Sequence, residues 1–316
     1  MTGRSIRIAA VVLFVVVVSS ACGDDSVATS GSSGSSGSSR VVATTSILAD
    51  VVTNATCGRV AVPSLIPRGA DAHEYESSTR DADRIRGAGL VVANGLGLES
   101  GLSDAIDAAR SDGVAVYEVG PTMSPRGSDP HAWMDPDRMA TAVEALGRRL
   151  AEVGDLGMSG AEIRTCSATY AQSLRDLGRE MDATMAVVPA ERRKLVTNHE
   201  ALGYFADRFD FEVIGAVIPS LSSLGEGNAR DLETLADTMR REDVTTVFAE
   251  TSRPKRVAEG LASLVGDRVE VVDLFTETLG APDSSAGTYV GMLREDASRI
   301  AGALDPSVAG PSGAGQ

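Results

Sequence analysis

The chain has 316 residues, which is enough for two domains with cores of their own, and its formal net charge is -15 at pH 7. A protein that binds nucleic acid must neutralise phosphates with Lys and Arg, so this charge argues against a nucleic-acid partner. Hydrophobic residues make up 43% of the chain and aromatic residues only 4%. We therefore expect cores built from Val, Leu, Ile and Ala.

The first 39 residues have the pattern of an export and anchoring segment. A basic start precedes an apolar run over 8–18, which is too short for a permanent membrane helix. Small residues then lead to Cys22. This arrangement resembles the lipobox of bacterial lipoproteins, which implies a signal peptide over 1–21 and a lipid on Cys22. An ordinary signal peptide with a chance cysteine is the alternative. The Gly/Ser-rich stretch over 22–39 is predicted to be a flexible tether.

From residue 40 onward, short apolar runs alternate with segments of helical periodicity, a pattern that predicts βαβ units and parallel sheets. The predicted strands are 40–46, 59–66, 90–94, 114–119, 194–197, 211–218, 244–249 and 268–273. The predicted helices are 47–56, 80–87, 98–110, 138–150, 161–186, 200–208, 228–241, 254–265 and 289–303. Asp137 is the predicted N-cap of the fourth helix. Helix 161–186 lies in a long stretch without a strand, so it is expected to join two lobes.

The fold class that follows is α/β, with two lobes that each contain a parallel sheet and one long helix that joins them. The first lobe is predicted over 40–158, the joining helix over 159–190 and the second lobe over 191–305. The remaining stretch, 306–316, is rich in Pro, Gly and Ser and is expected to be disordered.

Two cysteines remain if Cys22 carries the lipid, namely Cys57 and Cys166. In an exported protein, an even pair favours a disulfide. Two buried free thiols are the alternative. We prefer the disulfide because free thiols are a liability in an exported protein.

Four candidate metal ligands fall at or just after the carboxyl ends of predicted strands, where open parallel sheets bind their ligands. They are His73, His131, His199 and Asp273, and the three histidines are the only ones in the chain. Any one histidine alone would more often be a packing or surface residue. The four are too far apart in sequence for a helical zinc motif, so the fold must bring them together, two from each lobe. Three imidazoles and one carboxylate suit zinc and are acceptable to manganese.

Three stretches around the histidines carry a family resemblance. They are Pro67-Arg68-Gly69-Ala70-Asp71-Ala72-His73-Glu74-Tyr75-Glu76, Asp129-Pro130-His131-Ala132-Trp133-Met134-Asp135-Pro136 and Thr197-Asn198-His199-Glu200-Ala201-Leu202-Gly203-Tyr204-Phe205. Over roughly 40–305, the chain resembles the zinc/manganese-binding solute-binding proteins of ABC importers. The resemblance implies two α/β lobes with the metal in the cleft between them, and the four candidate ligands stand at the matching positions.

The chain departs from the family pattern in two places. Ala72 stands where the family usually has a proline before the first histidine, which removes some stiffness from the loop but no ligand. No histidine lies between Gly120 and Asp129, where many zinc members have a His-rich loop, and this weakens the choice of zinc over manganese. Asp273 matches its family position less distinctively than the histidines do. A water or a nearby carboxylate is the alternative fourth ligand.

The resemblance implies a binding protein that captures one Zn2+ or Mn2+ per chain outside the membrane and delivers it to the permease of an ABC importer. The protein is expected to be a monomer, held at the outer face of the membrane by lipidated Cys22. Its chemistry is coordination alone. Because neutral imidazoles bind the metal, affinity is expected to fall below about pH 6 as the histidines protonate. Glu74 and Glu200 sit beside two of the histidines and are expected to support them or to be solvated.

Two other functions remain open on the residues alone. A zinc hydrolase needs an open coordination position and a general base, and Glu74 or Glu200 could serve as that base. Four protein ligands, however, leave no room for a substrate. The third possibility is a lipoprotein adhesin or a binder of organic solutes. The low aromatic content offers few stacking platforms for a large organic ligand.

Overall fold

The computed structural model describes residues 40–225 and 227–305. The predicted signal peptide over 1–21, the lipid on Cys22, the tether over 22–39 and the tail over 306–316 lie outside these ranges. Among the described residues, no helix has both the length and the apolar character needed to cross a membrane.

The first lobe is built on a parallel sheet of three strands in the order β1-β2-β3. The strands are β1 (Val41–Ala43), β2 (Leu90–Ala93) and β3 (Ala115–Glu118). In the register of the sheet, Val41 stands opposite Leu90, and Leu90 opposite Ala115. β1 and β2 are buried along their whole length, which explains their unbroken apolar sequence. The helices of this lobe are α1 (Ser46–Ala55), α2 (Thr79–Arg86), α3 (Ser103–Ser111) and α4 (Pro136–Leu150).

The predicted strand over 59–66 is wrong, because this segment forms a single bridge, from Ser64 to Ala43, instead of a ladder. Its pairing is confined to the last residues, where Leu65 N donates to Ala43 O at 2.9 Å. Pro63 stands at the position whose amide would make the preceding ladder bond, and proline has no amide hydrogen. The first sheet therefore has three strands where the sequence predicted four.

Helix α4 starts earlier than the sequence predicted. Its N-cap is Asp135, not Asp137. The Asp135 side chain accepts a hydrogen bond from Asp137 N at 2.9 Å. Pro136 takes the first helical position, where the missing N–H removes no hydrogen bond from the helix. The prediction assigned this proline to the loop, and that placed the cap too late.

One long helix, α5 (Gly160–Ala186), follows the first lobe, as predicted. It begins at a capping box in which Ser159 Oγ accepts from Glu162 N and the Glu162 carboxylate accepts from Ser159 N. The helix packs against α1, α4 and the last helix of the chain. A disulfide between Cys57 and Cys166 ties the end of α1 to α5.

The second lobe contains a parallel sheet of four strands in the order β5-β4-β6-β7. The strands are β4 (Lys194–Thr197), β5 (Glu212–Ala216), β6 (Thr246–Glu250) and β7 (Glu270–Leu274). The helices that alternate with them are α6 (Gly203–Phe209), α7 (Ala229–Arg241) and α8 (Arg256–Val265). The two parallel sheets confirm the predicted α/β class.

The apolar cores do not divide at the boundary between the predicted lobes. A smaller cluster lies within the second lobe and includes Leu235 and Met239 of α7 and Leu261 of α8. The larger cluster runs from the first lobe through α5 into α6 and the last helix, α9 (Tyr289–Leu304). Because α9 packs on α5 and α1, the chain returns to the first lobe after the last strand.

Candidate metal centre

Three histidine rings come together in the structure. His131 and His199 lie in loops after β3 and β4, and His73 lies in the loop between α1 and α2. His131 Nε2 lies 3.3 Å from His73 Nε2 and 3.2 Å from His199 Nε2. Glu277 joins them, with its Oε1 3.3 Å from His131 Nε2 and 3.5 Å from His199 Nε2. All four side chains are buried, and the four candidate ligand atoms lie within 4.8 Å of one another.

These separations match the spacing of ligands around one metal ion. For metal–ligand bonds of about 2.0–2.1 Å, the edges of a tetrahedron are about 3.3–3.4 Å long. The four distances given above range from 3.2 to 3.5 Å. Four of the six separations therefore match a tetrahedral metal site, and the remaining pairs lie within 4.8 Å.

The Glu277 carboxylate faces the three histidines, and beyond these contacts its oxygens make no hydrogen bond among the described residues. A buried carboxylate is costly unless a cation neutralises it, and either protonated His131 or a metal ion at this point would do so. Burial raises the pKa of Glu277, but the neighbouring histidines outweigh burial and lower the pKa to about 2. The side chain is therefore ionised at neutral pH, as a metal ligand must be.

Two of the histidines differ in protonation. Burial lowers the pKa of His131, but the carboxylates of Asp129 and Glu277 outweigh burial and raise the pKa to about 9. Burial also lowers the pKa of His73, and here the attraction of Glu277 does not offset it. In the metal-free protein, His131 thus carries a proton at neutral pH and His73 does not. A metal ion must displace the His131 proton to bind.

The loop that carries His131 is fixed by three neighbours. Asp129 Oδ1 accepts hydrogen bonds from His131 N at 3.0 Å and from His131 Nδ1 at 2.8 Å, which directs Nε2 to the site. Trp133 Nε1 donates to Thr276 O at 2.9 Å. Tyr289 OH donates to Trp133 O from α9. The loop is therefore held in place before a metal binds.

The other two histidines are held by carboxylates as well. Asp71 Oδ1 accepts a hydrogen bond from His73 N at 2.8 Å, in the same turn that Asp129 forms two residues before its own histidine. His199 follows β4, and its Nδ1 is hydrogen-bonded to Glu250 Oε1 at the end of β6. Glu250 is buried and orients the His199 ring as Asp129 orients the ring beside it.

The segment that carries Glu277 follows the last strand of the second lobe but is held by the first lobe. Leu279 N donates to Ser46 Oγ at 3.1 Å, and Gly69 N donates to Thr278 Oγ1 at 2.9 Å. Three of the four candidate ligands are therefore fixed to the first lobe, and the second lobe supplies the remaining histidine.

The likeness to known proteins extends over almost all of the described chain. A family model for ZnuA, the periplasmic component A of a zinc-uptake complex, matches residues 41–303. The chain belongs to the ZnuA family. The zinc-binding protein TroA of Treponema pallidum is 32% identical over 275 residues, which are 84% of this chain and 88% of TroA. The manganese-binding lipoprotein MntA of Halalkalibacterium halodurans is 29% identical over 294 residues, which are 90% of this chain and 94% of MntA.

A solved structure of the ZnuA-family fold is also similar. The periplasmic zinc-binding protein TroA from Treponema pallidum has a TM-score of 0.78 and 31% sequence identity, and the match covers 85% of this chain and 99% of that one. The family and the two-lobe fold implied by the sequence resemblance are thereby confirmed.

Within this ZnuA-family site, the structure does not bring Asp273 to the histidines. Asp273 lies on β7, and its Oδ2 is 2.6 Å from Lys255 Nζ. The sequence prediction ended the strand at Asp273, whereas β7 continues to Leu274 and the loop beyond it supplies Glu277. This corrects the expectation for Asp273 in favour of the alternative, a nearby carboxylate.

The two acidic neighbours of the histidines are both exposed, which is one of the two alternatives that the sequence left open. Glu74 Oε1 pairs with Arg253 Nη2 at 2.7 Å, and Glu200 is exposed, so neither contacts a histidine ring. The carboxylates that hold the rings are Asp129 and Glu250, whose roles the sequence analysis missed. Two signals pointed to them. An aspartate stands two residues before two of the histidines, and Glu250 directly follows a buried apolar run.

Proposed function

We propose that this ZnuA-family chain binds one divalent metal ion, zinc in preference to manganese, outside the cell membrane and delivers it to the permease of an ABC importer. The observation that carries the proposal is the buried group of His73, His131, His199 and Glu277, whose ligand atoms all lie within 4.8 Å of one another, close enough to share one ion. Among residues 40–225 and 227–305, one such group is found, which supports one ion per chain.

The donor set favours zinc. Three imidazole nitrogens and one carboxylate oxygen are ordinary zinc ligands in a closed four-coordinate site. Manganese accepts these ligands, but carboxylate, carbonyl and water oxygens suit it better. The names of relatives do not decide between the two metals. TroA of Treponema pallidum is called zinc-binding, and MntA of Halalkalibacterium halodurans is called manganese-binding. The argument for zinc therefore rests on the donor set.

The proposal includes the place where the protein acts. Acylation of Cys22 would hold the metal-binding lobes at the outer face of the membrane on the tether over 22–39. The naming of MntA from Halalkalibacterium halodurans and Bacillus subtilis as lipoproteins supports this. We further propose a monomer, because one chain supplies all four ligands.

Carriage of the ion explains the site better than catalysis does. A zinc hydrolase keeps a coordination position open for water or substrate. Here four side chains offer one ligand atom each, enough to fill a four-coordinate shell. Glu74, one of the two candidate bases, is paired with Arg253.

Elemental analysis tests the choice of metal. The purified chain is exposed to equal concentrations of zinc and manganese and then dialysed. We expect about one zinc per chain and little manganese, and retention of neither metal would refute the binding function. Growth of a deletion strain in chelated medium tests delivery. The intact gene should restore zinc-dependent growth, and the His131→Ala variant should not.

A further inference from the structure

Arg253 lies in the loop after β6 and reaches across to the loop that carries His73. Its Nη2 lies 2.7 Å from Glu74 Oε1, and its Nη1 lies 3.4 Å from Asp71 Oδ2. Nη1 also donates a hydrogen bond to Ser223 O at 2.6 Å, in the loop that follows β5. The Arg253 side chain is 19% exposed, so its guanidinium is largely shielded from water.

The residues that contact Arg253 also hold a candidate ligand in each lobe. Asp71, which pairs with the guanidinium, also accepts a hydrogen bond from His73 N at 2.8 Å. In the second lobe, Arg253 N donates to Glu250 O at 3.3 Å, and the Glu250 carboxylate holds His199 Nδ1. The short segment from Glu250 to Arg253 is thus in contact with the supports of both histidines.

The Arg253 contact between the lobes is ionic, whereas the contact between the lobes near α6 is largely apolar. There, the larger apolar core runs between the lobes, and Tyr204 OH donates to Asp129 O at 2.9 Å. The smaller core of the second lobe lies around α7 and α8, whereas Leu195, Phe248 and Leu274 of the second sheet belong to the larger core. At the His73 loop the second lobe is joined through the ion pairs of Arg253, which can break without exposing apolar surface.

We infer that Arg253 is a latch that holds the second lobe closed over the bound ion and sets how slowly the ion leaves. This inference rests on the metal-binding function proposed above. Arg253 is a positioning residue, because it acts on His73 through Asp71 and on His199 through Glu250. With the latch closed, His199 stays beside the ligands of the first lobe. When the latch opens, His199 moves away and the ion is left with an incomplete shell.

The chemistry of arginine suits this role. A planar guanidinium presents separate N–H groups to two carboxylates and a carbonyl at once, which a lysine ammonium cannot match in geometry. Truncating one partner of a largely buried charge pair acts mainly on the dissociation rate. We expect the Arg253→Met variant to release zinc on the order of 10- to 100-fold faster than the wild type. The association rate should change by less than about threefold.

The test is stopped-flow release of zinc into excess chelator, with the full chain as wild type and as Arg253→Met, Glu74→Gln and Arg294→Met variants. Arg294→Met is the matched control, because it removes an exposed Arg–Glu pair between α9 and α5. Glu74→Gln removes one partner of the latch at an exposed carboxylate, so it remains informative if Arg253→Met fails to fold. The absorption spectrum of the cobalt-loaded protein reports whether the ligand set is unchanged.

We expect fast release from Arg253→Met, intermediate release from Glu74→Gln and wild-type release from Arg294→Met, all with the same cobalt spectrum. Release from Arg253→Met within twofold of wild type would overturn the latch, as would an altered cobalt spectrum in that variant. If Arg253→Met does not fold, wild-type release from Glu74→Gln overturns it. A wild-type protein that binds no metal would instead overturn the proposed function.

Discussion

Asp129 Oδ1 accepts two hydrogen bonds from His131, one from the backbone N at 3.0 Å and one from the ring Nδ1 at 2.8 Å. The second bond keeps the proton on Nδ1 and so leaves Nε2 to bind a metal. The negative charge also raises the basicity of the ring. One carboxylate therefore sets the position, the tautomer and the affinity of the central histidine.

We expect Asp129→Asn to weaken zinc affinity about 10- to 100-fold, because the amide keeps an oxygen for the backbone but loses the charge. Chelator-competition titration measures the change. Asp107→Asn is the matched control, since Asp107 is an exposed residue of α3 paired with Arg110. Wild-type affinity in Asp129→Asn would show that the carboxylate does not tune His131.

The raised pKa of His131 sets the pH range over which zinc affinity changes. Below a pKa of about 9, metal-free His131 carries a proton that must leave when the ion binds. We therefore expect affinity to fall about tenfold for each pH unit from pH 9 toward pH 7. The pKa of His73 is lowered, so His73 adds nothing in this range. Titrations across this interval check the slope, and a flat profile would contradict it.

The raised pKa of His131 also makes the stability of the metal-free fold depend on pH. Stability decreases as the pH rises, whereas zinc affinity increases. Protonated His131 stabilises the metal-free fold below its unfolded pKa near 6.5, and this contribution is lost as the pH rises through about 9. The sequence alone suggested that affinity would fall only below about pH 6. It could not show that two carboxylates, Asp129 and Glu277, lie against the His131 ring.

The long helix and the three histidines could be predicted because their signals are local. Ser159 and Glu162 form a capping box within one turn, and the apolar side chains of α5 recur at helical spacing. His199 follows directly on β4, so the sheet itself brings it to the site. Features of this kind depend on residues that are neighbours in the chain.

Glu277 could not be predicted in the same way because its place depends on contacts across the fold. The segment after β7 leaves the second sheet and is held by Trp133 and Ser46 of the first lobe. Asp273 ends the predicted strand 268–273, and parallel sheets bind ligands at the carboxyl ends of their strands. Its side chain instead pairs with Lys255. The misplaced strand over 59–66 has a local cause, since Pro63 stops the ladder.

The disulfide between Cys57 and Cys166 closes a loop with a sequence separation of 109 residues. Cross-linking a loop of this size restricts the unfolded chain, so replacing both cysteines by serine should lower the free energy of unfolding by about 4 kcal/mol. Denaturant unfolding under oxidising conditions measures the loss. The bond joins the end of α1 to α5 and touches no candidate ligand, so zinc affinity at low temperature should stay within about threefold of wild type. Unchanged stability in the double variant would contradict the structural role of the disulfide.

The identity of the fourth ligand is tested most directly by zinc titration of Glu277→Ala and Asp273→Ala beside the wild type. We expect Glu277→Ala to lose zinc affinity by at least about 100-fold, since the variant lacks the one carboxylate of the proposed shell. Asp273→Ala should bind zinc like the wild type, because its carboxylate faces Lys255 and not the histidines. The reverse order, with tight binding in Glu277→Ala and loss in Asp273→Ala, would contradict the site described here.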